Sequence, residues 1–383
     1  MSLPVPSSDA LAASHALQNL IAAEIESNSG AISFARYMEL ALYAPGLGYY
    51  SGGSAKLGKD GDFTTAPELS PLFGAALARV AGAIIAQSAS QILEFGAGTG
   101  KLAFDILTEL TAAGVKVERY SIVELSGELR GRQQEKLRDF PQVEWLDAFP
   151  EAFDGVVFGN EVLDAMPVHL VIKNPQGWQE LQVTISDGGF QYLEVPASEE
   201  LLAQVERQIP EHEHLPVGYV TELHGVACGF MATLSRMLDK GKASAAFLFD
   251  YGFPAREYYF DQRVTGTLMC HYRHHAHPDP FYYPGLQDIT AHVDFTAMAL
   301  AAQDAGAEVL GYLNQSGFLL SAGIGELLLR TDPADAVNYL PQARAMQKLV
   351  SPAEMGELFK VLVVGKGVEL PDAIVAQDRT HRL

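Results

Sequence analysis

Residues 92–100 read ILEFGAGTG, a short apolar run with one acid inside it and then glycine at alternate positions. Such a run suits a buried strand, and closely spaced glycines let the main chain turn sharply and approach a ligand with no side chain in the way. The stretch that follows, KLAFDILTELTAAG, carries apolar residues at helical spacing and stops on Gly114. Strand, glycine turn and helix in that order predict an α/β fold, in which ligands sit beyond the carboxyl ends of the strands.

The pattern continues downstream. RYSIVEL reads as a strand, ELRGRQQEKLRDF as a helix, and VEWLD and GVVFGN as further strands, the signature of a doubly wound parallel sheet. After Met166-Pro167 the order breaks: HLVIKN, WQELQVTIS and FQYLEV alternate like antiparallel strands around the turn-formers NPQG and DGG. Val168–Val195 is therefore read as a β insertion. A helix-rich stretch runs on to Leu238, ASAAFLFDYG returns to the parent sheet, and AEVLGYLNQ and KVLVVGKG supply strands near the C-terminus. Before the sheet, Ala10–Glu26 and Ser33–Leu42 have helical spacing, with Ser33 as N-cap. The expected division is a helical lead (1–90), a first core segment (91–167), an inserted cap (168–242), the rest of the core (243–365) and a tail (366–383). The lead and the insertion are expected to cap the strand ends.

Composition narrows the function. The 383 residues include 26 lysines and arginines against 47 acids, a formal net charge of −21. That field repels phosphate backbones, which argues against nucleic acid, and attracts cationic ligands or basic protein segments. The longest apolar stretches, such as Ala243–Phe249 and Val361–Val364, fall far short of the roughly 20 residues that span a bilayer, so no membrane insertion is expected. Cys228 and Cys270 are the only cysteines, too few for a disulfide framework or a cysteine-rich zinc site. The N-terminus has neither the basic start and apolar core of a secretory signal nor the arginines of a mitochondrial presequence, and a cytoplasmic location is expected.

A glycine turn of this kind serves either a dinucleotide or S-adenosylmethionine. The dinucleotide fingerprint G-x-G-x-x-G, counted from Gly96 and Gly98, puts Lys101 at its third position. What stands instead is E-F-G-A-G-T-G, Glu94 through Gly100, with Gly96, Gly98 and Gly100 alternating. S-adenosylmethionine has no pyrophosphate, so its turn need not complete a phosphate cradle. Glu94 can engage the cationic methionine amino group, Glu124 at the next strand end can accept from both ribose hydroxyls, and Asp147 at the third can meet the adenine amino group. One acid at a strand end is ordinarily a solvated or capping residue; three in succession after this turn favour S-adenosylmethionine.

Five segments in order, GDFTTAPELSPLFG (61–74), LEFGAGTGKLAFDIL (93–107), GNEVLDAMPVH (159–169), LFDYG (248–252) and GTLMCHYRHHAHPDPFYYPGLQDITAHVDFTAMA (266–299), resemble the MidA-like methyltransferases. That family includes the mitochondrial complex I assembly factor that methylates an arginine on a complex I subunit. The resemblance runs from about residue 20 to about residue 365. It implies a Rossmann-like class I methyltransferase sheet, S-adenosyl-L-methionine as methyl donor, and a protein arginine as acceptor, with a respiratory subunit as partner. It also implies that Gly61, Asp62 and Thr64 belong to a segment folding over the cofactor, although a loop-to-helix cap before Pro67 has the same composition.

For the transfer itself, carboxylates suit a guanidinium, whose fork of donors pairs bidentately with acids. GNEVLDAMP sets Asn160, Glu161 and Asp164 just past the fourth strand, where they are expected to hold the acceptor; the alternative is that Asn160 or Asp164 caps a helix and Glu161 lies in its first turn. The polar run His271–His277 is followed by Pro278, Pro280 and Pro284, which argue for an irregular loop and against a metal scaffold. Gln287, Asp288 and Asp294 are expected to contact the acceptor or brace its pocket, and His292 to take the proton lost after transfer.

Overall fold

The computed structural model describes residues 3–52 and 65–383, and in it the apolar runs form the strands that their composition suggests. Seven of them, β1 (Gln91–Phe95), β2 (Arg119–Val123), β3 (Val143–Leu146), β4 (Gly155–Asn160), β5 (Ser244–Phe253), β6 (Glu308–Asn314) and β7 (Phe359–Lys366), lie in one sheet. Their order is β3-β2-β1-β4-β5-β7-β6. The first five run parallel, and β7 enters antiparallel between β5 and β6. The order reverses direction at β1, so β1 and β4 flank the switch point where open α/β sheets bind ligands.

Register makes that edge a site. Phe95 pairs with Val123 on one side and Gly159 on the other, and Val123 pairs with Leu146. Strands β1 to β4 thus end at nearly one level, where Asn160 closes β4 and Gly96, Glu124 and Asp147 follow the other three.

Helices α1 (Pro71–Ile85), α2 (Lys101–Ala112) and α3 (Gly127–Lys136) belong to the same unit. Ser70 caps α1 by accepting from the Leu72 N–H at 3.1 Å, and Ser126 caps α3 by accepting from the Leu129 N–H at 3.4 Å. Strands β4, β5 and β7 are almost continuously apolar because both faces of the sheet are covered. The core at β5 is aromatic: Phe318, fully buried, meets Phe247 at 5.9 Å and Phe249 edge-on at 5.1 Å between ring centroids.

The chain divides into two compact units whose segments interleave. The sheet unit takes 64–162, 230–252 and 298–383, and the other takes 1–63, 163–229 and 253–297. The second unit contains the expected β insertion: His169–Asn174, Gly177–Ser186 and Gly189–Pro196 pair antiparallel. It also contains two segments that sequence reading assigned elsewhere. The N-terminal lead joins through Ile32–Ser33, which pairs with Gln182–Val183, and 253–297 joins through long-range bonds such as Tyr37 Oη to the Pro280 carbonyl at 2.7 Å and Ser14 Oγ to the Pro284 carbonyl at 2.9 Å. None of these partners is close in sequence. The helix at Phe34–Tyr43 starts on Ser33, whose hydroxyl accepts from the Arg36 N–H.

The histidine run is a correction to the sequence reading. Met269–Tyr272 and His275–His277 form a hairpin with Arg273 (φ 46°) and His274 (φ 63°) at its turn, and Asp288–Thr290 pairs on the other side. Left-handed residues at both turn positions match strand twist. The prolines begin after the hairpin and make only 278–287 irregular. Among the described residues no helix is long and apolar enough to cross a membrane.

Phe318→Ala removes a fully buried ring and is expected to cost about 3–5 kcal/mol of unfolding free energy in denaturant titration. A loss below about 1 kcal/mol would show that the aromatic cluster does not anchor the β5 region.

Candidate functional site

The turn after β1 is built for close approach. Gly96, Gly98 and Gly100 have φ of 65°, 52° and 77°, a region in which a side chain costs about 1–2 kcal/mol and β-branched residues fit worst. Gly96 donates its N–H to the Val123 carbonyl at 3.1 Å, and Gly100 donates to the Ala97 carbonyl at 2.8 Å before leading into α2. Lys101, at the first position of α2, pairs with Asp105 one helical turn on. It belongs to the helix and not to the turn.

One residue that sequence reading missed ties the edge together. Gln133 on α3 is fully buried, and its amide nitrogen donates to the Gly98 carbonyl at 2.9 Å and to Glu124 Oε2 at 3.0 Å. Its carbonyl oxygen accepts from Trp145 Nε1 at 2.9 Å. A single carboxamide thus links the glycine turn, the end of β2 and strand β3. The sequence held a signal: Leu129, Gln133 and Leu137 are spaced by four, so a polar residue occupies the inward stripe of an otherwise polar helix.

The two acids nearest the turn differ in environment. Glu94, only 2% exposed, accepts from Tyr120 Oη at 2.7 Å, and burial pushes its carboxyl up to about 7 despite that bond. Glu124 is partly exposed; Oε1 accepts from the Ser126 N–H at 2.9 Å, and burial raises its pKa against the pull of that N–H and of Gln133. Both carboxylate oxygens are therefore oriented, each with lone-pair capacity left. Leu125, next along, is 82% exposed although its neighbour Ser126 is buried. Asp147 lies out in solvent and pairs with Arg130 at 2.7 Å, an ion pair too exposed to fix the site.

At the end of β4 the chain turns through Glu161 in the left-handed region, φ 54°. Its N–H donates to the Phe249 carbonyl at 2.8 Å, and Asn160 Nδ2 donates to Glu161 Oε1 at 3.1 Å. No helix begins here, so the capping alternative for Asn160, Glu161 and Asp164 is not what this segment does. A non-glycine residue held at positive φ on a sheet edge marks stored strain of the kind found at functional sites. Asp164 falls in the other unit; it is 5% exposed and its carbonyl accepts from the Ala291 N–H at 3.0 Å.

The remaining candidates share that second unit. Gln287 is fully buried and donates to the carbonyls of Asp279 and Pro280 at 3.1 and 2.9 Å, so it braces the proline loop. Both oxygens of Asp288 accept from Tyr50 Oη at 3.0 Å. Asp294, also fully buried, accepts from the Ala297 N–H at 3.1 Å at the start of a helix, and burial pushes its carboxyl up to about 7. His292 stacks on Phe253 at 5.3 Å. Gly61, Asp62 and Thr64 lie outside the described residues. Among the described residues no three histidines, cysteines or acids are grouped closely enough to hold a metal. A cavity of about 650 Å³ borders Asp147, but its lining includes Gln91 and Arg119, the first residues of β1 and β2, at the end of the sheet opposite the glycine turn.

Comparison with known proteins agrees with this geometry. Residues 73–313 match the model of a family described as S-adenosyl-L-methionine-dependent methyltransferases. The crystal structure of a Burkholderia thailandensis protein bound to S-adenosyl-homocysteine is 54% identical, with a TM-score of 0.93 and 100% of both chains covered. The mitochondrial protein arginine methyltransferase NDUFAF7 of Rattus norvegicus is 30% identical over 374 residues, spanning 87% of this chain and 80% of that protein. The human protein of the same name is 28% identical, spanning 87% and 79%.

Gln133→Leu strands the Gly98 carbonyl, Glu124 and the Trp145 N–H, and is expected to lower stability by about 2–3 kcal/mol and to weaken S-adenosylmethionine binding in calorimetry. Unchanged affinity would mean that the turn holds its shape without the amide. Glu94 gives a second expectation. Because its pKa rises from 4.5 to about 7 on folding, the folded chain holds this proton more tightly. The associated stabilisation, on the order of 3 kcal/mol, is complete below the unfolded pKa and is lost as pH rises through the folded one. Glu94→Gln should therefore flatten the fall in unfolding free energy between about pH 5 and pH 8; an unaltered slope would assign that proton elsewhere.

Proposed function

This chain belongs to the family of S-adenosyl-L-methionine-dependent methyltransferases, and we propose that it methylates an arginine side chain of a protein. S-adenosyl-L-methionine is the methyl donor. When bound, it supplies an electrophilic methyl group on a sulfonium.

The donor's fit rests on the turn. With left-handed glycines at 96, 98 and 100, the main chain between Phe95 and Lys101 carries side chains only at Ala97 and Thr99, at the switch point of the sheet. In this reading Glu124, oriented by Gln133 and the Ser126 N–H, accepts from the ribose hydroxyls. Leu125 supplies the apolar surface that an adenine ring needs, which accounts for a leucine left 82% exposed beside the acid. Asp147 can exchange its solvent-exposed partner Arg130 for the adenine amino group. Glu94 balances the methionine ammonium, and an approaching cation would favour its ionised form. Gly61, Asp62 and Thr64 are proposed as cofactor-binding residues on the family resemblance alone.

The observation that carries the acceptor assignment is Glu161. It follows directly on β4, whose Gly159 pairs with Phe95 at the mouth of the turn, and its carboxylate is steadied by Asn160. A carboxylate so placed can hold a guanidinium by two parallel hydrogen bonds, localising charge on the held nitrogens and leaving the third more nucleophilic. Asp164, Asp288, Gln287 and Asp294, which belong to the other unit, are each proposed as acceptor-binding or bracing residues on the family resemblance. His292 takes the proton released after transfer. The relatives named as protein arginine methyltransferases support this acceptor, as does a net charge of −21, which draws in basic segments. The partner is proposed, on the family resemblance alone, to be a respiratory complex I type subunit, and the location, on the N-terminal sequence, to be the cytoplasm.

Purified enzyme and methyl-labelled donor, added to a lysate from cells lacking the gene, should label one polypeptide on arginine. Label confined to metabolites would remove the protein acceptor. Gly98→Val is expected to abolish donor binding in a folded chain, and Glu161→Gln to leave donor affinity nearly intact while slowing transfer by about 10²-fold or more. A normal rate would move the acceptor site away from Glu161.

A further inference from the structure

The motif G-T-L at 266–268 and the segment T-E-L-H at 221–224 have no part in the reading above, yet they meet in the interior of the second unit. Glu222, fully buried, accepts from the N–H groups of Thr267 at 2.7 Å and Leu268 at 2.8 Å through Oε1, and from Tyr258 Oη at 2.7 Å through Oε2. Three donors on one carboxylate satisfy the hydrogen-bonding needs of a buried acid. The turn wraps so closely that a Cβ at Gly266, φ 70°, would overlap Glu222 Oε1.

Protons can be placed along the chain of bonds. Since Tyr258 donates to Glu222, its oxygen accepts from Thr267 Oγ1 at 2.9 Å and from His224 Nε2 at 3.1 Å. Thr267 Oγ1, its own proton spent on Tyr258, accepts from the main-chain N–H of His292 at 3.0 Å. His224 is then the Nε2–H tautomer, and its Nδ1 finds no partner among the described residues. Burial, with the nearby His292 adding to it, drives His224 down to about 3, so it stays neutral.

His292 is gripped a second time through its ring. The imidazole lies parallel to Phe253, 2° between planes and 5.3 Å between centroids. Phe253 in turn carries the Arg263 guanidinium 4.5 Å from its centroid, and Arg263 Nη1 donates to the carbonyls of Glu257 and Tyr258 at 2.7 Å. The charged or titratable groups set around His292 by these contacts are thus His224, Glu222, Tyr258 and Arg263, with Asp294 two residues on.

We propose that Thr267 and Phe253 are positioning residues for His292, the first through its main-chain N–H and the second through its ring, with Glu222 as the buried anchor of the relay. The inference rests on His292 as the group that receives the acceptor's proton. Every residue of the relay belongs to the second unit and the donor turn to the sheet unit, so its loss should appear in turnover and not in donor affinity.

The test uses the whole enzyme, with labelled donor and the protein fraction of a lysate from cells lacking the gene as acceptor. His292→Asn should lower the rate about 10²-fold and remove the acid-side pH dependence. Thr267→Val should lower it about 10-fold with the donor KM within about twofold, Phe253→Leu should behave similarly, and Thr267→Ser should restore most of the rate. In parallel, the imidazole resonance of His292, identified by its absence in His292→Asn, should shift in Thr267→Val and Phe253→Leu but not in Thr267→Ser. If His292→Asn is impaired while Thr267→Val turns over normally, or while Thr267→Ser is as poor as Thr267→Val, the positioning inference falls and the proton acceptor stands. If His292→Asn is as active as the wild type, the proton acceptor falls. An unmoved His292 resonance in Thr267→Val and Phe253→Leu overturns the positioning inference whatever the rates.

Discussion

The buried carboxamide of Gln133 holds the donor edge of the sheet in one piece. It reaches the Gly98 carbonyl, the Glu124 carboxylate and the Trp145 indole at once, and no aliphatic side chain of the same volume could satisfy all three. The glycine turn must stay nearly bare to admit a nucleoside, with side chains only at Ala97, which joins the core, and Thr99, which bonds to Glu68. Its shape is imposed from behind, by α3 and by the strand registers that bring Gly96, Glu124 and Asn160 to one level. Flexible chemistry is thus avoided where orientation matters.

The same logic separates the buried acids by task. Glu94 and Asp294 sit where burial favours the protonated form, both pushed up to about 7. Glu222 is equally buried but surrounded by three donors. Glu161 is the strained one, held at positive φ next to Asn160. A sequence offers four similar carboxylates. Only the environment distinguishes a structural anchor from a group proposed to bind a cation.

How much of this could be read beforehand follows from what local pattern can carry. The turn was legible because its glycines and the flanking strand and helix are adjacent in sequence, and so were the parallel strands and the Val168–Val195 hairpins, whose alternation and turn residues are local signals. The hairpin at 269–277 leaves no clear local signal, because the prolines that follow it mark an irregular chain and because Arg273 and His274 are not the usual residues of a left-handed turn. The interleaving of the two units was not legible at all: Tyr37 with Pro280 and Ile32 with Val183 are tertiary choices with no local trace. Gln133 left a faint mark, a polar residue on an inward stripe. Glu222 left none, since one acid in V-T-E-L reads as ordinary strand alternation.

A crystal of this protein grown with S-adenosylmethionine tests the central claim most directly. The account predicts the nucleoside lying along the main chain of residues 96–100, its ribose hydroxyls on Glu124 and its base over Leu125. Density for the donor elsewhere on the chain, or a side chain standing between it and that turn, would contradict it.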